Sequence, residues 1–140
     1  MFKKILLAYD GSPGARRALT VGIELAKLHG AKLTALAVQE RLPRFSGTID
    51  EVQEEKDLAD QQYRRLLDAA QAQAQEAGVQ LQTLMYPGHP AQTIVELAKE
   101  GHFDLILVGH SGLSGVWAAF LGSTAEKVSR HADCSILIVR

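Results

Sequence analysis

Short apolar runs alternate with segments of helical period along almost the whole chain, and that alternation leaves few folds open. Residues 4–9 close on Ile5-Leu6-Leu7-Ala8-Tyr9 and are followed at once by the turn residues Asp10-Gly11-Ser12-Pro13, the pattern of a strand buried on both faces. Ser12 then stands where a helix N-cap is wanted and Pro13 at the first helical position. Ala18, Val21, Gly22, Leu25 and Ala26 recur at helical spacing, and Gly30 suits a left-handed C-terminal cap.

The same unit repeats. Residues 32–38 predict a second strand, residues 39–50 a long loop, and Asp50 with Gln53 a capping-box-like start to a helix that Gly78 ends. Ala59, Tyr63, Leu66, Leu67, Ala70, Ala74 and Ala77 share that helix's apolar face. Residues 79–85 are apolar but interrupted by Gln80, Gln82 and Thr83, as suits an edge strand with one wetter face. A turn over 87–90, a helix ending near Gly101, a buried strand over 104–108, a long loop over 109–121, a short helix over 123–130 and a last strand over 135–139 complete the chain. Right-handed crossovers then imply an α/β fold, flavodoxin-like or Rossmann-like. It is an open parallel five-stranded sheet of order 3-2-1-4-5 with helices on both faces, one domain over residues 1–140. In that order the first and fourth strands are neighbours, and ligands sit beyond their carboxyl ends, next to Asp10 and Gly109.

Composition narrows the function classes. A net charge of −1 with scattered Lys and Arg offers no footprint for nucleic acid, and no apolar stretch approaches the length of a membrane span. The apolar start meets Asp10 too early for a secretory signal, so a cytoplasmic location is expected. Cys134 is the single cysteine, which excludes an internal disulfide and suits a buried thiol in a reducing compartment.

The chemistry concentrates in residues 109–124. Gly109 ends a strand, Gly112 follows three positions on, and Gly122-Ser123-Thr124 opens a helix. Glycines let backbone amides approach an anion closely, and a helix start adds unpaired N–H groups and a favourable dipole. A Walker A loop would need a Lys before Ser or Thr, yet no Lys or Arg occurs between Gly109 and Thr124. Only Gly11 and Gly14 follow the first strand, too few glycines for a dinucleotide fingerprint.

Gly109, two residues, Gly112, nine residues, then Gly122-Ser123 resembles the ATP-binding signature of the universal stress protein family. Residues 5–12 resemble that family's first strand and turn, and residues 134–139 its closing strand, so the resemblance spans the whole chain. It implies a nucleotide sensor in the stress response. Asp10 would lie near the ribose and a Mg²⁺ ion, the main chain of Val38 near the adenine, and Gly109, Gly112, Gly122, Ser123 and Thr124 would hold ribose and phosphates. Many relatives carry Arg before the second glycine where this chain has Ser111, which puts more weight on amides and a divalent ion. An amide cradle reads phosphate charge rather than phosphate number, so ATP, AMP and cAMP all remain open as the ligand.

Plainer readings stand beside these. Ser123 and Glu126 have capping-box spacing, and Asp10 could simply start an Asx turn. His110 is expected to face solvent or a partner rather than act as a base. Trp117, Phe120 and Leu121 could be core or could meet a second subunit. A slow ATPase or nucleotide-dependent transferase, and a nucleotide-free dimeric adaptor, compete with the sensor. The last strand is apolar, short and at the sheet edge, with no internal Lys, Pro or bulge, so a homodimer through it is expected, as the resemblance also implies.

Overall fold

The computed structural model describes residues 1–40, 48–111 and 121–140. Its strands are β1 (Lys4–Ala8), β2 (Lys32–Gln39), β3 (Leu81–Pro87), β4 (Leu105–Gly109) and β5 (Ser135–Val139). The helices are α1 (Pro13–His29), α2 (Ile49–Glu76), α3 (Pro90–Glu100) and α4 (Ser123–His131). The sheet runs β3-β2-β1-β4-β5 with every neighbouring pair parallel, as the alternation predicts. Leu7 sits between Ala35 and Leu107 in register, so β1 is flanked on both sides.

Strand parity sorts the core into two layers. Ile5, Leu7, Leu33, Ala35, Leu105 and Leu107 meet α1 and α2 through Leu19, Ile23, Leu67 and Ala74. Leu6, Leu36, Ile106 and Val108 meet α3 and α4 through Ile94, Ala98, Ala125 and Val128. Each fully buried Leu or Ile contributes about 1.5–3 kcal/mol over an exposed one, and the central strands supply most of them.

Local signals set the helix ends. The Ser12 hydroxyl accepts from the Ala15 N–H at 3.2 Å, Pro13 opens α1, and Gly30 closes it at φ 63°. In α2 the cap lies earlier than the Asp50–Gln53 spacing predicts. Thr48 is extended and accepts from the Glu51 N–H, while Glu51 reaches back to the Thr48 N–H, a complete capping box. Gln53 instead donates to Asp57 at 3.0 Å. β3 starts two residues later than its apolar run, because the Val79 N–H is spent on the Ala74 carbonyl in closing α2. It continues to Pro87 because the Gly88 N–H prolongs the pairing by donating to the Gln39 carbonyl.

Candidate functional site

β1 and β4 part at their carboxyl ends, because α1 packs on one face of the sheet and α4 on the other. A cleft of about 340 Å³ opens between them. Its apolar floor includes Ala8, Leu36, Val38, Ile94 and Val108. Asp10, Val38, Gly109, Gly122, Ser123 and Thr124 all line it, so the structure brings together six of the seven residues expected from sequence. Gly112 lies outside the described residues, as do Trp117 and Phe120.

The backbone of the cleft is tightly built. Gly14 and Gly109 meet where α1 passes β4: a Cβ on Gly109 would stand 2.6 Å from the Gly14 carbonyl carbon, and one on Gly14 would stand 2.5 Å from the Ser111 carbonyl oxygen. The glycine at 109 is therefore required by helix packing. His110 is buried, contrary to the expectation that it faces solvent or a partner. Its N–H donates to the Val139 carbonyl and its carbonyl accepts from the Gly122 N–H, both at 2.7 Å, which fixes the start of α4 beside the end of β4.

α4 then begins at the cleft without a side-chain cap. Gly122 is the N-cap, Ser123 is the first helical residue, and the capping-box role expected for Ser123 is absent. The first bond of the helix runs from the Glu126 N–H to the Gly122 carbonyl, so the amides of Ser123, Thr124 and Ala125 precede the ladder, and all three residues line the cleft. Gly122 has φ −62° and ψ 152°, a conformation open to any residue, so its backbone does not itself demand glycine.

Asp10 does make the Asx turn: its Oδ1 accepts from the Ser12 N–H at 2.9 Å. That bond occupies one of two carboxylate oxygens on a side chain that also lines the cleft. Val38 is placed by alternation along β2. The Leu36 carbonyl turns to β1 and accepts from the Tyr9 N–H at 2.8 Å, whereas the Gln39 carbonyl turns the other way, to Gly88. Val38 shares the side of Leu36, past the last residue of β1, so its N–H and C=O face the cleft.

Glu40, Tyr63 and Ile94 are among the lining residues that carry no motif signal. Glu40 directly follows β2, and the rule that sites lie beyond strand ends would have found it. Tyr63 and Ile94 read as core from their helical periodicity, and only the packing of α2 and α3 brings them to the cleft. Burial pushes the Tyr63 hydroxyl above its ordinary pKa, with the Asp10 and Glu40 carboxylates adding to the shift. Tyr9 is raised chiefly by burial too, with Arg16 opposing, and burial also raises the Cys134 thiol. Among the described residues no three His, Cys, Asp or Glu side chains gather to hold a metal, and the cleft contains no Lys or Arg. Among the described lining residues an anion would meet amides and hydroxyls.

The model of the universal stress protein family matches residues 1–140. A Thermus aquaticus universal stress protein (in the QAH/OAS sulfhydrylase 3′ region) is 39% identical over 145 residues, covering 100% of both chains. Among solved structures, the universal stress protein UspA from Lactobacillus plantarum superposes with a TM-score of 0.87 at 29% identity, over 99% of this chain and 98% of that one. A universal stress protein solved in complex with cAMP superposes with a TM-score of 0.74 at 26% identity, over 99% of this chain and 97% of its own. Among the described residues no helix is long and apolar enough to cross a membrane.

Proposed function

We propose, because this chain belongs to the universal stress protein family, that it binds an adenine nucleotide, ATP or its relatives AMP and cAMP, in the cleft between β1 and β4. Occupancy of the cleft then biases a stress-response interaction in the cytoplasm. The observation that carries this reading is the start of α4: a glycine N-cap that offers no side chain to the first-turn amides, opening into a cleft with an apolar floor. Phosphates fit against Gly122, Ser123 and Thr124, and with a glycine at 122 no Cβ stands in their way. The apolar floor suits a purine, and the N–H and C=O of Val38 suit its hydrogen-bonding edge. Asp10 suits the ribose hydroxyls or a Mg²⁺ ion that travels with the phosphates, and such an ion offsets the acidic lining. The related protein solved with cAMP supports the ligand class.

The regulatory form of the protein is a homodimer joined through β5. That strand is the sheet edge, and Leu137 on it is 39% exposed despite its apolar side chain. The test of the function is chemical identification of what the purified protein releases on denaturation. An adenine nucleotide, bound again when magnesium and nucleotide are returned, supports the reading. Failure to retain or rebind any would sink it, and ADP accumulating during incubation would shift the reading to a slow ATPase.

A further inference from the structure

The charges that line the cleft are not spread evenly. Asp10 at the end of β1 and Glu40 just past the end of β2 are the charged residues among the described lining, and both are acidic. Tyr63 reaches the same cleft from α2, where burial raises its hydroxyl's pKa and both carboxylates add to the rise. The opposite side is the start of α4, where the amides ahead of the helical ladder and the helix dipole favour negative charge. Among the described lining residues, one end of the cleft therefore offers amides to an anion and the other carries two carboxylates.

We infer that Glu40 and Tyr63 join Asp10 in a wall facing the nucleotide's sugar, one that accepts free ribose hydroxyls and rejects any phosphate attached to them. This rests on the nucleotide reading above and narrows it. A ligand with its phosphates on α4 and its base at Val38 sets its sugar between them, over the end of β1 at Asp10, with Glu40 following the neighbouring strand. Carboxylates there accept hydrogen bonds from two adjacent hydroxyls, and the phenol can donate to or accept from either. A phosphate at the ribose 3′ position, whether linear or closed into the ring of cAMP, removes a donor and sets a negative charge against two others. Like charges facing one another suppress the wrong partner more than they alter the affinity of the right one. ATP and AMP are thus favoured, and this chain discriminates against cAMP, the ligand held by the relative described above.

Glu40 is exposed at a strand end, so Glu40→Gln keeps the fold while removing the charge. Calorimetric titration with AMP, adenosine 3′,5′-bisphosphate and cAMP, in magnesium at low salt, reads the ratio of affinities. The wild-type protein is expected to prefer AMP over the bisphosphate by about tenfold or more, and Glu40→Gln to cut that preference by about threefold, because the amide oxygen still accepts from a hydroxyl but no longer repels a phosphate. Raising the salt should shrink the preference in the wild type and less so in the variant. Tyr63→Phe should weaken AMP while leaving 3′-deoxy-AMP nearly unchanged. Equal wild-type affinity for AMP and the bisphosphate, or a ratio untouched by Glu40→Gln, would overturn the sugar wall and leave nucleotide binding standing. No binding of ATP or AMP at all would overturn both.

Discussion

Gly14 and Gly109 face each other where α1 crosses the end of β4, and both neighbours of a would-be Cβ are backbone that cannot rotate away. Gly109→Ala should cost about 1–3 kcal/mol through overpacking, read as a lower denaturant midpoint at unchanged slope. Gly109 and Gly122 look alike in the sequence, as two glycines of one motif. Only the structure separates a glycine that packing requires from one whose conformation any residue could take. Asp10 shows the opposite economy, since one carboxylate starts the turn and also lines the cleft. Asp10→Ala should therefore lower the melting temperature of the nucleotide-free protein and also weaken nucleotide binding more than tenfold, about 1.4 kcal/mol. A loss confined to melting temperature would reduce Asp10 to its turn.

At the scale of elements, α1 was fully legible because its signals are local: Ser12, Pro13 and Gly30 each act within a turn of the helix end. α2 was misread at its start because Thr48-Glu51 and Asp50-Gln53 both have capping spacing, and spacing alone does not say which residue is extended. Ser123 was misread for the same reason, the extended residue being Gly122. β3 was shifted by two residues because closing α2 and pairing with β2 are decided outside its own sequence. Thr48→Ala tests the corrected cap. It should destabilise the first turn of α2 by about 1 kcal/mol, seen as faster amide exchange over residues 49–52. Global stability should change little, because Ile49 and Val52 are exposed and no core residue lies in that turn.

For the whole molecule, the strand order and the position of the cleft followed from the alternation, since few right-handed parallel arrangements exist and each puts its site at the switch point. What stayed hidden was the lining supplied across the fold, Tyr63 from α2 and Ile94 from α3, whose periodicity marks burial without saying what they are buried against. The exposed edge at β5 carries the assembly prediction: sedimentation at micromolar concentration should show a dimer, and Leu137→Lys, which places a charge on a side chain exposed in the monomer, should leave a 15.2 kDa species. A wild-type monomer would remove the dimer and leave the cleft untouched. The cleft itself is tested by titrating ATP with magnesium into the wild-type protein and Gly122→Val, a substitution whose backbone conformation valine can adopt. Saturable binding of one nucleotide per chain, abolished in a variant that is still folded, is the result predicted here; the same affinity in both would contradict a nucleotide site at the start of α4.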